Sequence, residues 1–286
     1  MGKLRVSAAF NLHGSFHAGD DAVDFCRRGL RFYKELGFDT ADFNTAVLDL
    51  SSDNWQKQTE EIRGAFEEIG FRFEMGHLPF FSGVRDENFL RTFSERVHRG
   101  IDAAAALGIR YAVVHPNAPN LPMKEFCEKQ QFDSVMAHLM PFVEHGDRVG
   151  VEIVVENMRV IPGATLMHRY CQTPEELCHV ADALGIGICW DFGHANISGI
   201  RQSEGLALVG KRLRVVHIND NFAMDDEHIL PFTGTVDWKD AMAGLSQIGY
   251  GGLLNFELAA GKLPEGMRQA YAKYVLAAAE ELASYL

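Results

Sequence analysis

Six short apolar runs each end in a residue that can bind a metal ion or move a proton: His77, His115, Glu156, Asp191, His217 and Glu257. A carboxylate that ends a buried segment is costly unless it is paired or bound to a cation. Three carboxylates that meet in one place would raise one another's pKa or require a cation. Together with one imidazole they suit a divalent ion such as Mn²⁺, Co²⁺ or Mg²⁺, with Zn²⁺ as a further choice. A salt-bridged structural cluster is the alternative.

The apolar runs alternate with segments of helical periodicity, and eight such pairs can be counted. The predicted strands are LRVSAAF, FDTADF, FRFEMGHL, RYAVVHP, VEIVVEN, IGICWD, LRVVHIND and LLNFEL. Eight β/α units without a linker or a glycine-rich nucleotide loop favour a (β/α)8 TIM barrel over a doubly wound sheet, and we expect a single catalytic domain over residues 1–286. The active site of such a barrel lies at the C-terminal ends of its strands, which is where the six residues converge.

The predicted helices carry recognisable start and stop signals. Several end in Leu-Gly or Ile-Gly, which is typical of a glycine that stops a helix in the left-handed conformation. The sequence QTPEE predicts a helix with Thr173 as its cap and Pro174 in its first turn. Pro141 predicts a kink or an interruption in the helical segment within residues 124–149.

The composition excludes several classes of partner. The chain has 39 acidic and 27 basic residues, for a formal net charge of -12, which disfavours nucleic acid and acidic membrane surfaces. No segment approaches the roughly 18 apolar residues of a membrane span, and the N-terminus lacks the apolar region of a signal peptide. We therefore expect a cytoplasmic protein with no membrane partner, and the sequence leaves a homo-oligomer open. The five cysteines include no C-x-x-C pair and are expected to be reduced.

The motifs VVEN, CWDFGHANISG, VVHINDN, DDEHILPFTGTVDW and LNFEL resemble those of the sugar isomerases and epimerases among the xylose-isomerase-like TIM barrels. That superfamily also contains the endonuclease IV type of DNA repair enzyme. The resemblance covers most of the chain, especially from VVHP to the last strand. It implies one divalent metal ion held by Glu156, Asp191, His217 and Glu257. It also implies that His194, in the D-x-G-H pattern that begins at Asp191, reaches the substrate.

The expected reaction is isomerisation or epimerisation of a ketose, an aldose or a small hydroxy-keto acid. The metal would polarise the carbonyl group and stabilise the enediolate that forms when the neighbouring C–H bond loses its proton. Glu156 and Glu257 are the expected catalytic base and acid on opposite faces of that intermediate. The expected substrate-binding residues are His77, His115, His194 and His228. These residue types do not distinguish epimerisation from aldose-ketose isomerisation.

Two other functions stay open. An endonuclease IV-like phosphodiesterase would bind three zinc ions and cleave abasic DNA. The chain offers additional ligands for it in His77, His115, His194, Asp226 and His228. The acidic net charge, the segment NMRVIPGAT and the segment HILPFTGTVDW count against that function. A non-catalytic barrel is the third reading, against which the complete four-ligand set counts. About one metal ion per chain, three zinc ions or none would distinguish the three.

Two further features bear on the substrate. No cluster of arginine and lysine predicts a phosphate clamp, so a free sugar and a sugar phosphate are equal candidates. Four aromatic residues near strand ends are expected to pack in the core or to form a wall for a sugar: Phe16, Phe80, Phe81 and Trp190. Trp55 and Trp238 are expected at the starts of helices as packing residues.

Overall fold

The computed structural model describes residues 5–81, 85–161, 163, 166–258, 260 and 263–286. Ten strands lie in these ranges: β1 (Arg5–Ala8), β2 (Ala41–Asn44), β3 (Phe73–His77), β4 (Tyr111–Val114), β5 (Leu121–Pro122), β6 (Glu152–Glu156), β7 (Met167–His168), β8 (Gly187–Asp191), β9 (Leu213–His217) and β10 (Leu253–Phe256). The described α-helices are α1 (Ala22–Leu36), α2 (Asn54–Ile69), α3 (Glu87–Ala106), α4 (Glu128–Val149), α5 (Pro174–Leu184), α6 (Phe192–Ile197), α7 (Gln202–Val209), α8 (Trp238–Gln247) and α9 (Glu265–Ala283).

Eight of the strands form a closed parallel barrel, which confirms the predicted TIM-barrel fold. Strands β2, β3, β4, β6, β8 and β9 form one parallel sheet in that order, and β1 pairs in parallel with β10. Two parallel bridges close the circle, between Ala9 and Asp42 and between Ile218 and Phe256. The two remaining strands, β5 and β7, are only two residues long and pair with each other in antiparallel fashion outside the barrel. All eight predicted strands are therefore present.

The strands are buried on both faces, which is why their sequences read as nearly continuous apolar runs. A compact cluster fills the barrel interior and consists of Met75, Val113, Val154, Cys189, Val215 and Leu253. A much larger cluster packs the outer face of the strands against the helices. Trp55 and Trp238 belong to this outer cluster and lie at the starts of α2 and α8, as predicted. The rigid barrel leaves the C-terminal strand ends as the place for polar side chains.

The helix boundaries follow the predicted signals with one exception. Gly37, Gly70 and Gly185 end their helices with positive φ, and the Thr173 hydroxyl accepts a hydrogen bond from the backbone N–H of Glu176. Helix α4, however, runs through Pro141 without a break, so the predicted interruption is wrong. The apolar face of α4 packs on the core while Pro141 lies on the exposed side, and this burial outweighs the loss of one backbone hydrogen bond.

Within the described ranges, none of the helices combines the length and the hydropathy that crossing a bilayer requires.

Candidate active site

The C-terminal ends of β6, β8, β9 and β10 bring four predicted metal ligands together. We call Glu156, Asp191, His217 and Glu257 group A, and one ligand atom from each lies within 4.8 Å of the others. The Nδ1 atom of His217 is 3.0 Å from Oε1 of Glu156, 3.1 Å from Oε2 of Glu257 and 3.9 Å from Oδ2 of Asp191. Three of the four side chains are almost fully buried, and Glu257 is about a quarter exposed, at 26%. Group A thus opens toward solvent at Glu257.

A second set of ligands shares Glu156 with group A. His77 at the end of β3 and His115 just after β4 form group B with Glu156. The Nε2 atom of His115 is 3.1 Å from Oε2 of Glu156, and that of His77 is 3.5 Å from the same oxygen. Glu156 therefore presents one carboxylate oxygen to each group.

A third set of possible ligands also lies beside group A. Its residues follow β8 and β9, later in the chain than the histidines of group B. Group C consists of His194 in α6 and of Asp226 and His228 in the loop between β9 and α8. Oδ2 of Asp226 is 3.4 Å from Nε2 of His194, and Oδ1 is 3.2 Å from Nε2 of His228. All eight predicted site residues thus belong to groups A, B or C.

Three of the histidines share one hydrogen-bonding arrangement that suits metal binding. The Nδ1–H groups of His77, His194 and His228 donate to the backbone carbonyls of Leu78, Asn157 and Glu257, at 2.8, 2.8 and 3.0 Å. Each bond fixes the imidazole so that Nε2 faces a carboxylate, as in histidines that bind metals. A neutral Nε2 carries a lone pair, which repels a carboxylate unless a proton or a metal ion lies between them. The arrangement therefore fits a cation.

Unsatisfied oxygen atoms support the same conclusion. Oε2 of Glu156 and Oδ1 of Asp226 are buried and accept no hydrogen bond from the described residues. Each lies within 3.2 Å of an imidazole nitrogen without the angles of a hydrogen bond. Buried carboxylate oxygens are rarely left in this state, so the two atoms are fitted to coordinate a cation.

Without a metal ion, the opposite charges of the site determine the protonation states. Burial lowers the pKa of His194, but the negative charges of Asp191 and Asp226 outweigh it and raise that pKa to about 9. Burial is likewise outweighed at His228, where contact with Asp226 and the charge of Glu257 raise the pKa to about 10. The same two imidazoles hold the pKa of Asp226 well below its usual range against the effect of burial. The metal-free site is thus a network of ion pairs at neutral pH.

Asp191 departs from this pattern. Burial and the charge of Glu156 raise the pKa of Asp191 to about 6, although the charge of His194 opposes them. For Glu257, the positive charge of His217 outweighs burial and lowers the pKa to about 2. Asp191 and Glu257, two of the three carboxylates of group A, therefore differ in how readily they accept a proton.

If a metal ion binds at group C, we expect its affinity to rise steeply with pH. At pH 7 both His194 and His228 are protonated in the metal-free protein, and a metal ion must displace both protons. Below pH 9 the logarithm of the affinity should therefore increase by about 2 per pH unit. Zinc titrations between pH 6 and pH 9 against a competing chelator would measure this slope. The variant Asp226→Asn should lose the pH-dependent part of the zinc affinity. A zinc affinity of the unchanged protein that does not vary with pH would contradict the expectation.

Asparagine side chains orient the carboxylate of group A that ends β8. The side chain of Asn157 bridges the backbone of Asp191, accepting from its N–H at 2.6 Å and donating to its carbonyl at 2.9 Å. Asn219 donates to Oδ2 of Asp191 at 2.7 Å, and the N–H of His194 donates to Oδ1 at 2.6 Å. Gly193 permits this packing, because a Cβ there would lie 1.8 Å from Oδ1 of Asn219. Asp191 thus both caps α6 and faces the other residues of group A.

Two buried aspartates that the sequence analysis did not single out support the site. Oδ2 of Asp42 lies 3.6 Å from Nε2 of His217, on the side of the ring away from group A. Asp42 sits in β2, far along the chain from β9, and only closure of the barrel brings the two together. Asp220 accepts hydrogen bonds from the backbone of Gly234 and Val236 and from the indole of Trp238, at 3.0 to 3.1 Å. It thereby anchors the loop that carries Asp226 and His228.

The aromatic residues divide between packing and the site. Trp190 is fully buried and donates its indole N–H to Gln202, and Phe16 and Phe81 pack on neighbouring phenylalanine rings. Phe80 is different, because its ring centroid lies 4.5 Å from that of His115 and half of its surface is exposed. Of the four residues considered as a wall for a sugar, Phe80 is the one placed against a candidate metal-binding group.

The five cysteines are free thiols, as expected. Cys189 lies within reach of Glu156 and His217, but burial raises the pKa of its thiol. A protonated thiol is a poor metal ligand, and the side chain belongs to the packed barrel interior. Groups A, B and C remain the candidate metal-binding sets among the described residues.

Comparison with known proteins places these groups in a wider context. Residues 30–278 match a family model described as a xylose isomerase-like TIM barrel. Two curated relatives are the uncharacterized protein MJ1311 of Methanocaldococcus jannaschii, 30% identical over 190 residues, and an inosose isomerase of Bacillus velezensis, 24% identical over 196 residues. Each alignment covers 63% of this chain, and 62% and 64% of the respective relatives. The chain therefore spans less than two-thirds of the length of these relatives.

A solved structure extends the comparison to the whole barrel. A D-allulose 3-epimerase from Methylomonas sp., in complex with D-allulose, aligns over 98% of this chain and 97% of its own. The TM-score is 0.72 and the sequence identity is 18%, so the two proteins share their fold. The family match spans all the residues of groups A, B and C.

Proposed function

Because the chain belongs to the xylose isomerase-like TIM barrel family, as its motifs predicted, we propose that it is a metal-dependent isomerase or epimerase of a sugar or a related hydroxy-carbonyl compound. The activities named for its relatives, an inosose isomerase and a D-allulose 3-epimerase, support the predicted enzyme class. The observation that carries the proposal is the placement of Glu156 and Glu257. They lie on strands separated by β8 and β9, and both come within 3.1 Å of His217.

We propose that the two glutamates act on a bound substrate from different sides. Group A fits a divalent ion, which when bound polarises a carbonyl group and stabilises the negative charge that develops beside it. Glu257 is partly exposed and can exchange its proton with solvent, whereas Glu156 is buried. One glutamate removes the proton next to the carbonyl group, and the other delivers a proton to the opposite face, which yields an epimer.

The histidines of groups B and C have two alternative roles. If only group A holds a metal ion, His77, His115, His194 and His228 are available to bind substrate hydroxyl groups through Nε2, which is the role we propose for them. If groups B and C also hold ions, these nitrogens are occupied as ligands. The number of metal ions therefore determines what these residues can bind.

Groups B and C favour a second candidate function, a three-metal phosphodiesterase. Their donor atoms, like those of group A, converge within 4.8 Å, and several metal ions in one site are suited to the cleavage of phosphodiesters. The formal net charge of -12 counts against a nucleic-acid substrate, because a phosphate backbone is attracted by basic surfaces. We therefore rank the isomerase first.

Metal content and solvent exchange test the proposal together. We expect about one tightly bound ion per chain and loss of activity on chelation that Mn²⁺, Co²⁺ or Mg²⁺ restores. A ketose that the enzyme accepts should gain deuterium next to its carbonyl group in D₂O. Three zinc ions per chain with cleavage of an abasic-site duplex, absent from a His217→Ala variant, would reverse the ranking. Full activity of a demonstrably metal-free sample would refute metal dependence.

A further inference from the structure

Two arginines lie together beside groups A and C, although they are ten residues apart in the sequence. Arg159 follows β6, and Arg169 follows β7. The chain folds back between them, so that the N–H of Met158 donates to the carbonyl of Cys171 at 2.8 Å, and the amide of Gln172 donates to the carbonyl of Arg159 at 2.8 Å. Because this pairing depends on the path of a loop, no run of basic residues marks it in the sequence.

Arg159 is held by the loop that carries group C. Its Nε atom lies 3.1 Å from Oδ2 of Asp226, and its Nη2 atom lies 3.9 Å from Oδ1 of Asp225. The side chain of Arg159 is 21% exposed. Arg159 therefore links the loop after β6 to a candidate metal ligand. Among the described residues, the single hydrogen bond of its Nη groups is a weak one from Nη1 to the carbonyl of Val160 at 3.4 Å, so these groups retain capacity to bind an anion.

Arg169 has no comparable partner among the residues that the structure describes. Its Nε–H is buried and donates to no acceptor in the described part of the chain, and none of the ion pairs found there includes Arg169. A guanidinium in such surroundings is costly unless an anion accompanies it. Burial, followed by the positive charge of Arg159, lowers the pKa of Arg169 to about 10, while the charges of Asp226 and Glu156 act in the opposite direction. Arg169 therefore lies within electrostatic range of the metal ligands and stays protonated at neutral pH.

The nearby carboxylates do not balance the charge of Arg169, because they already contact other side chains. Asp226 is already in contact with Arg159, His194 and His228, and Glu156 is in contact with the histidines of groups A and B. A metal ion would take up part of the same negative charge. When a metal ion is bound, less negative charge therefore remains to balance the charges of Arg159 and Arg169. An oxyanion is the ligand that supplies the missing negative charge.

We propose that Arg159 and Arg169 bind an anionic group of the substrate, a carboxylate or a phosphate, which makes the substrate a sugar acid or a sugar phosphate rather than a neutral sugar. This inference rests on the proposed function, because it assigns the substrate class of the same site. Arg169 is the specificity-determining residue, since it makes no ion pair in the described structure. Arg159 assists it from the loop after β6.

Binding measurements on the metal-loaded protein test this assignment without turnover. We compare D-fructose, D-fructose 6-phosphate and 5-keto-D-gluconate by calorimetry, using the unchanged protein, Arg169→Met, Arg169→Lys and the control Arg212→Met. Arg212 pairs with Asp182 on the outer surface, away from the strand ends. One of the two anionic compounds should bind about 10- to 100-fold more tightly than D-fructose, and which one does so distinguishes phosphate from carboxylate.

The variants give the sharper result. Arg169→Met should lose that 10- to 100-fold preference and keep its affinity for D-fructose, Arg169→Lys should keep part of the preference, and Arg212→Met should keep all of it. Equal affinities of the unchanged protein for the three compounds, or a preference that survives in Arg169→Met, would overturn the inference. If Arg169→Met does not fold, the folded Arg169→Lys protein replaces it in the test. The inference would also be overturned if that protein kept the full preference for the anionic compound and the full salt dependence of its binding.

The two proposals fail in different ways. An anion preference that depends on Arg169, with neither turnover of the three compounds nor deuterium exchange into them, supports this inference and contradicts the isomerase. Deuterium exchange into D-fructose with no preference for either anionic compound supports the isomerase and contradicts this inference.

Discussion

Replacing Glu156 with Gln should lower turnover by about 10² to 10⁴ and weaken metal binding at group A, together with any binding at group B. Oε1 of Glu156 lies 3.0 Å from His217 in group A, and Oε2 lies 3.1 Å from His115 in group B. The amide keeps the shape of the side chain but removes the charge that both groups share. Turnover on an accepted ketose and metal content after gel filtration measure the two effects.

The control for this variant lies on the same strand. Glu152, at the N-terminal end of β6, is partly exposed and pairs with Arg214 at the end of the barrel opposite the site. Glu152→Gln should therefore leave turnover and metal content within about twofold of the unchanged protein. An active Glu156→Gln protein with a full complement of metal would contradict both its proposed catalytic role and its place as a shared ligand.

The variant Glu257→Gln should also lose about 10² to 10⁴ in turnover, but with a different signature. Glu257 belongs to group A alone, and its side chain reaches solvent. Group B therefore keeps its ligands, so any ion bound there should be retained in Glu257→Gln and lost from Glu156→Gln. Loss of Glu257 removes the proton exchange of one epimer, while the other epimer can still exchange through Glu156.

Deuterium incorporation into each epimer separately measures this asymmetry. We expect Glu257→Gln to slow exchange into one epimer far more than into the other, and Glu156→Gln to show the reverse preference. Glu265→Gln, an exposed residue at the start of α9, serves as the control and should exchange like the unchanged protein. Turnover by the unchanged protein without any deuterium in product or recovered substrate would indicate direct hydrogen transfer between carbons, and the roles of both glutamates would then be wrong.

Most of the barrel could be predicted because its strands are short apolar runs whose ends carry polar residues. The positions of Glu156, Asp191 and Glu257 followed from the cost of burying a carboxylate, since each ends such a run. His228 and Asp226 were visible as the DEH segment, but their relation to His194 required the loop that Asp220 anchors. These contacts are local to a strand end or to a recognisable motif.

The remaining features depend on contacts between distant segments. Asp42 reaches His217 because β1 and β10 close the barrel, and nothing in the neighbourhood of Asp42 in the sequence signals that contact. Arg159 and Arg169 lie together because a loop folds back on itself. Strands β5 and β7 are too short for a recognisable alternation. The continuity of α4 through Pro141 was determined by packing, which local propensity does not include.

The sharing of Glu156 would couple the metal affinities of groups A and B if both groups bound an ion. An ion in group A would draw on the electron density of this carboxylate and make it a weaker donor for an ion in group B. Linkage requires the effect to be reciprocal, so each ion lowers the affinity for the other by the same factor. The two groups would therefore fill in sequence rather than together, and a chelator would empty them in the reverse order. A single side chain thereby sets the range of free metal concentration over which the protein holds one ion and not two.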